Sequence, residues 1–147
     1  MLSGENSPVT HPPERFEQLI AFIGSQLPSP VEQQSGSDGS IIFTGGDPAE
    51  AVVLLAASRV VVFEFAGVWE TPSNFVAKPR RLGTLNWRRL PETALMNALT
   101  WLIKGARETR LARYRTCDQC GKRLPPESMV ADDLCWTCAE QPGGDVA

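Results

Sequence analysis

The sequence predicts an α+β fold: a small antiparallel sheet of four to five strands covered by two helices, with a compact C-terminal lobe. Three observations predict it. Short runs rich in β-branched and aromatic residues, separated by turn residues, crowd residues 41–87. A stretch of helical apolar spacing lies on either side of them, one around residue 20 and one after Pro91. All four cysteines then fall within residues 117–138. A chain of 147 residues that is 42% hydrophobic and 21% charged can bury a core without disulfides. The same composition excludes a wholly disordered chain, a coiled coil and a collagen-like fibre.

Residues 1–13 contain Pro8, Pro12 and Pro13 among small polar residues and are expected to be a disordered tail. Residues 142–147 are expected to be a second such tail. Glu14–Leu27 has helical spacing, with Phe16, Leu19, Ile20 and Ile23 at i, i+3, i+4 and i+7. Pro28 and Pro30 end it. Val31–Ser40, with its run QQSGSDGS, reads as a flexible loop.

Ile41–Thr44 reads as a strand and GGDP at 45–48 as a turn. The stretch AEAVVLLAA at 49–57 supports two readings. Asp47, Pro48 and Glu50 suit N-cap, N1 and N3 of a helix. The apolar run, however, covers every helical face and is short. A β-hairpin is preferred, pairing Val52–Ala56 with Val60–Ala66 around Ala57–Ser58. In it Glu64 shares a face with Val60 and Val62 and is expected at the surface or rim. Trp69, Phe75–Lys78 and Leu82–Trp87 read as further strands, with Pro79 marking an edge or turn.

Pro91 opens a long helix, PETALMNALTWLIKGARETRLARY. Leu95, Ala98, Leu99, Leu102, Ile103 and Ala106 share one broad face that should pack on the sheet. Arg113 would sit in the middle of that face, so the core-facing helix should end or change partner beyond Arg110. Trp101 lies on a second side with Ala94, Gly105 and Ala112. Those small residues let another element approach: the first helix, the C-terminal lobe or a second protomer. The domain organisation expected is an α+β domain over 14–113 and a metal-binding module over 114–141.

The cysteines form two C-x-x-C pairs, CDQC at 117–120 and CWTC at 135–138, with 14 residues between them. That is just under the usual separation of roughly 15–20 residues. A two-residue gap lets one tight turn present two sulfurs on the same side, and two such turns close a tetrahedral shell. Cys117, Cys120, Cys135 and Cys138 are therefore the expected ligands of one structural Zn²⁺. Four protein ligands leave no open position for catalysis. Arg115, Lys122 and Arg123 would offset the negative charge of four thiolates. An S₄ site also accepts iron, although a rubredoxin-like centre would want glycine after the second pair, and Ala139 stands there. A dithiol redox pair or disulfides are the other readings.

Gly121 follows the first pair, and helix formers follow the second. Over residues 114–141 this layout resembles a treble-clef or zinc-ribbon module. The resemblance implies a knuckle, a hairpin around Leu124–Asp133, and a last pair at the start of a short helix. It implies metal ligation and no activity. The chain as a whole resembles small uncharacterised bacterial proteins with a zinc-finger tail, and residues 1–113 resemble no family of known activity.

Charge is segregated. Residues 1–76 carry 2 basic and 9 acidic side chains, 77–116 carry 10 basic and 2 acidic, and 117–147 carry 2 basic and 6 acidic. Arg107, Arg110, Arg113 and Arg115 lead directly into the cysteine module. With the rest of segment 78–115 they could bind phosphate backbones. The alternative is a solvated helix face, with some arginines paired to the acidic N-terminal block. Catalysis has little support. The single histidine, His11, lies in the predicted tail, and there is no phosphate-binding G-x-x-x-x-G-K-[ST] loop. The N-terminus has neither the basic nor the apolar region of a signal peptide, and no apolar run is long enough to span a membrane. The expectation is a non-enzymatic, cytoplasmic, zinc-stabilised binding or adaptor protein. It would act through a protein partner or self-association, with nucleic-acid binding as the alternative. No membrane and no small-molecule substrate is expected.

Overall fold

The computed structural model describes residues 12–140. Residues 1–11 of the predicted 1–13 tail, His11 among them, and the predicted 142–147 tail lie outside the described residues. Helix α1 spans Pro12–Gln26, beginning two residues before the expected start. Two prolines suit a helix's first turn, where backbone N–H groups have no intrahelical acceptor.

Strands β1 (Val31–Ser35), β2 (Ile41–Gly46), β3 (Ala49–Leu55), β4 (Val60–Glu64) and β7 (Arg80–Leu85) form one sheet in the order β1-β2-β3-β4-β7. Every pairing is antiparallel. Strands β5 (Gly67–Thr71) and β6 (Asn74–Ala77) form a separate hairpin in the connection from β4 to β7. Helix α2 spans Glu92–Ala112 and packs against β3, β4 and β7. The fold is α+β, with a five-stranded antiparallel sheet and two main helices.

Residues 49–57 resolve in favour of the hairpin. Leu55 pairs with Val60 and Val53 with Val62 around the Ala57–Ser58 turn. The all-round apolar run belongs to a strand buried on both faces, since Ala51, Val52, Val53 and Leu55 are all buried. Asp47–Pro48 is the turn between β2 and β3 instead of a helix start. Gly46 takes a φ of +101° there, a conformation that glycine adopts without a Cβ clash.

The expected loop over 31–40 is corrected. Val31–Ser35 is an edge strand paired with β2, Val31 opposite Gly45 and Ser35 opposite Ile41. An edge strand needs only backbone partners, so polar side chains in water are compatible with it. Only the turn remains, held by Gly36 N–H donating to Ser40 O at 2.7 Å. The Ser40 hydroxyl and backbone N–H both donate to Asp38, and they hold its carboxyl below the usual range.

The core is the layer between sheet and helices. Leu19, Ile23 and Leu27 enter from the α1 side, and Leu95, Leu99, Ile103 and Ala106 from α2. Phe43, Val53, Leu55, Val60 and Val62 rise to meet them. Trp87 is buried, and its indole N–H donates to Ala56 O at 2.8 Å. That bond satisfies the one polar atom of the side chain and ties β7's exit to the β3–β4 turn.

Beyond α2 the chain makes small elements only. Strands β8 (Arg115–Thr116) and β9 (Arg123–Leu124) pair, and a 3-10 turn covers Pro126–Ser128. Strands β10 (Met129–Ala131) and β11 (Leu134–Cys135) pair and lead into helix α3 (Trp136–Glu140).

Candidate metal centre

The first cysteine pair sits in the turn between β8 and β9. Cys117 N–H donates to Lys122 O at 2.9 Å, and Gly121 N–H donates to Cys117 O at 2.8 Å. Gly121 takes a φ of +75°, the left-handed conformation that lets so short a turn close. The second pair straddles the junction of β11 and α3: Cys135 ends the strand and Cys138 lies in the helix. Asp118 N–H donates to Asp133 O at 2.8 Å and holds the two turns together.

All four sulfurs lie within 4.8 Å of one another, and Cys120 Sγ is 3.9 Å from Cys135 Sγ. A tetrahedral zinc with Zn–S near ~2.3 Å separates its sulfurs by roughly 3.8 Å, so the residues fit the ion. Backbone N–H groups point at two sulfurs: Cys135 N–H at Cys117 Sγ (3.5 Å) and Cys138 N–H at Cys135 Sγ (3.4 Å). Such donors stabilise thiolate over thiol. Backbone N–H donation, from Cys120 first and then Cys135, brings the Cys117 thiol down to about 6. Cys138 is pushed up to about 12, first by its contact with the Cys135 sulfur and then by burial. Metal ions bind cysteine as thiolate, so filling the site would release protons.

The module is fastened to the domain by Glu127, in the 3-10 turn. Arg110, at the end of α2, is 2% exposed and grips the Glu127 carboxylate with both terminal nitrogens. Its Nε–H donates to Ala49 O at 3.0 Å. Its guanidinium carbon lies 5.0 Å from the centre of the Phe65 ring and 5.4 Å from that of Tyr114. The Trp69 indole N–H donates to Glu127 O at 3.0 Å, joining the β5–β6 hairpin to the same turn.

The four arginines nominated for nucleic-acid binding are distributed differently from one another. Arg107 Nε–H donates to Glu50 at 2.8 Å, and Arg113 Nε–H to Glu64 at 2.6 Å. Arg110 is sealed against Glu127, and Arg115 is exposed on β8 with no ion pair among the described residues. The pairing with the acidic N-terminal block is therefore real for Arg107 and Arg113.

Glu64 itself is a correction. It is 1% exposed, not at the rim, and it accepts from Arg113 while Arg80 lies 3.8 Å away. Its face is the α2-facing face, and a carboxylate can be buried there because two guanidinium groups meet it. The clamp at Arg110 was missed in the sequence, yet its signal is present. Leu95, Leu99, Ile103, Ala106 and Arg110 continue a single buried stripe.

The second side of α2 is not covered by α1 or by the cysteine module around Trp101, which is 76% exposed. Apart from its chain neighbours and the helix's own backbone, nothing among the described residues lies within 4 Å of where a Cβ on Gly105 would stand. No family model, curated protein or solved structure matches the chain. The four-cysteine cluster, geometrically fit for one metal ion, is what the structure identifies.

Proposed function

We propose that the chain is a non-enzymatic binding protein of the cytoplasm. One structural Zn²⁺ on Cys117, Cys120, Cys135 and Cys138 would hold a treble-clef-like module against the α+β domain, and the chain would act through protein contacts. The observation that carries this reading is the closed four-sulfur cluster, linked to the domain core through Glu127 and Arg110. A metal with four protein thiolates has no position left for substrate. Its contribution is to fix the module and, through Glu127, to keep Arg110 paired. A reducing compartment suits four free thiols. Among the described residues no helix is long and apolar enough to cross a membrane.

The partner class is argued from the arginines. Non-specific nucleic-acid binding draws on guanidinium groups free to displace counterions. Arg107, Arg110 and Arg113 each already face a carboxylate. The test is fluorescence anisotropy of labelled single- and double-stranded oligonucleotides on the zinc-loaded chain at low and physiological salt, with metal content measured alongside. Expected are one zinc per chain and no salt-steep binding. Binding that weakens steeply with salt and vanishes on neutralising Arg113 and Arg115 would replace this reading with nucleic-acid recognition.

A further inference from the structure

Strand β7 is an outer strand of the sheet, with β4 as its one neighbour in it. Beside it runs the uncovered side of α2. A hollow of about 330 Å³ lies between them, lined by Leu82, Trp101, Leu102, Gly105 and Thr109 together with Lys104 and Glu108, one charge of each sign. Leu82 is the extra residue of a bulge, since Val62 pairs with Gly83 and Phe63 with Arg81. Bulges re-aim side chains, and this one accompanies the placing of Leu82 in the hollow with Trp101. Leu82 is 40% exposed and Trp101 76%.

A second hollow, of about 720 Å³, continues toward the cysteine module, and Thr109 borders both. Its basic wall is Arg80, Arg113 and Arg115, and its apolar wall includes Met129 and Val130. Glu64 lies beneath Arg80 and Arg113 and orients both, while Arg115 has no ion pair among the described residues. Asp132 is the one carboxylate lining this hollow, so three guanidinium groups outweigh it and Glu64 together. The trough therefore has one end where Leu82, Trp101 and Leu102 supply apolar surface and the charges of Lys104 and Glu108 balance, and a cationic end, along an outer strand.

We propose that this trough docks an extended, acidic peptide segment of a partner protein. The segment lies along β7, sets an apolar side chain into the Leu82–Trp101–Gly105 hollow, and presents a carboxylate to Arg115, the guanidinium of this wall that Glu64 does not already engage. Three features select this occupant. An open strand edge flanked by a helix accommodates an extended chain. Gly105 leaves open space beside the helix, where a bulky residue's side chain would otherwise stand. The charge at the far end demands an anion, and Arg side chains match carboxylates in geometry as well as sign. The inference rests on the protein-binding reading above and names its site and partner chemistry.

The test uses the zinc-loaded chain and fluorescein-labelled peptides of about ten residues. Each peptide places one leucine or phenylalanine at varied spacing from three glutamates, and control peptides carry lysine instead. Trp101→Ala and Arg115→Glu change exposed side chains, and Gly105→Leu fills open space, so all three should fold. The expected result is anisotropy binding of the glutamate peptides only, weakened about tenfold or more by each substitution, as truncation of an interface anchor does. Binding that ignores Trp101→Ala or Gly105→Leu overturns the site. Equal binding of lysine peptides overturns the partner chemistry. Sedimentation showing a dimer that Trp101→Ala dissolves would give the trough to a second copy. Failure of every peptide, with no oligonucleotide bound, sinks this inference and leaves the proposed function standing; oligonucleotide binding sinks both.

Discussion

Arg110 of α2 and Glu127 of the cysteine module form a two-pronged ion pair whose arginine is almost wholly buried. The two residues belong to segments that the sequence assigns to different units. A pair this enclosed is weak evidence for net stability, because both charges were taken out of water. Breaking it on one side is costly, because the other charge stays buried and unmatched.

Glu127→Gln should therefore destabilise the chain by about 3 kcal/mol. Urea unfolding followed by tryptophan fluorescence reads this directly. The double replacement Arg110→Met with Glu127→Met should recover most of the loss, since an apolar pair of similar volume needs no partner. Equal destabilisation by the single and double variants would show that the charge pair is not what fastens the two parts.

Zinc removal should reach beyond the module. The sequence suggests that Cys117→Ser or Cys138→Ser frees the metal, unfolds the tail and leaves the main domain intact, because its core is separate. The Arg110–Glu127 and Trp69–Glu127 contacts modify that expectation. Chelation should lower the melting temperature of the α+β domain by several degrees without unfolding it at room temperature. Chelation and Glu127→Gln should also be non-additive, as they act on one link. Differential scanning calorimetry of the four states decides. An unchanged main transition would mean independent units, and complete unfolding would mean a single one.

Tyr114 is the chain's one tyrosine, which makes its titration readable by ultraviolet absorbance. Burial raises its phenol above the ordinary value of 10.0, against the opposing field of Arg110. A group with a raised folded pKa contributes stability that is complete below pH 10 and is lost as pH rises through the folded value. The absorbance midpoint of the folded chain should lie above 10 and return to 10 in denaturant. A folded midpoint at or below 10 would place the ring in water or give Arg110 the larger influence.

Two glycines should respond oppositely to alanine. Gly105 stands inside α2 with open space where a Cβ would go, so Gly105→Ala should stabilise by about 0.5–1 kcal/mol. A Cβ on Gly45 would come within 2.8 Å of Leu27 Cβ and 2.9 Å of Pro28 O. The backbone must shift to admit it, so Gly45→Ala should destabilise by about 1–3 kcal/mol. Thermal melts of the two variants should move in opposite directions.

Much of this was legible in the residues. The β-branched density after Arg59 and the Ala57–Ser58 turn mark the central hairpin, and the stripe from Leu95 to Ala106 marks the packed face of α2. The paired C-x-x-C spacing marks the sulfur cluster. What was not legible depends on partners distant in sequence. Val31–Ser35 looks like a loop because an edge strand carries no apolar requirement of its own. Glu64 looks exposed because its burial depends on arginines 16 and 49 residues away. Arg110 looks like one of a solvent-facing series because charge in a sequence says nothing about what will neutralise it.

The clamp also sets an order of assembly. A ribosome releases every strand of the five-stranded sheet and all of α2 before the first cysteine of the cluster, Cys117, and Glu127 follows later still. Domains generally fold as they emerge. The nascent sheet and helix thus close while Arg110 still lacks its counter-charge, which arrives 17 residues downstream. Metal capture by the last segment is then the step that completes the earlier one. If the four sulfurs hold zinc as proposed, a cell short of it would accumulate chains that have their sheet but not their full stability, and quality-control proteases act on such chains.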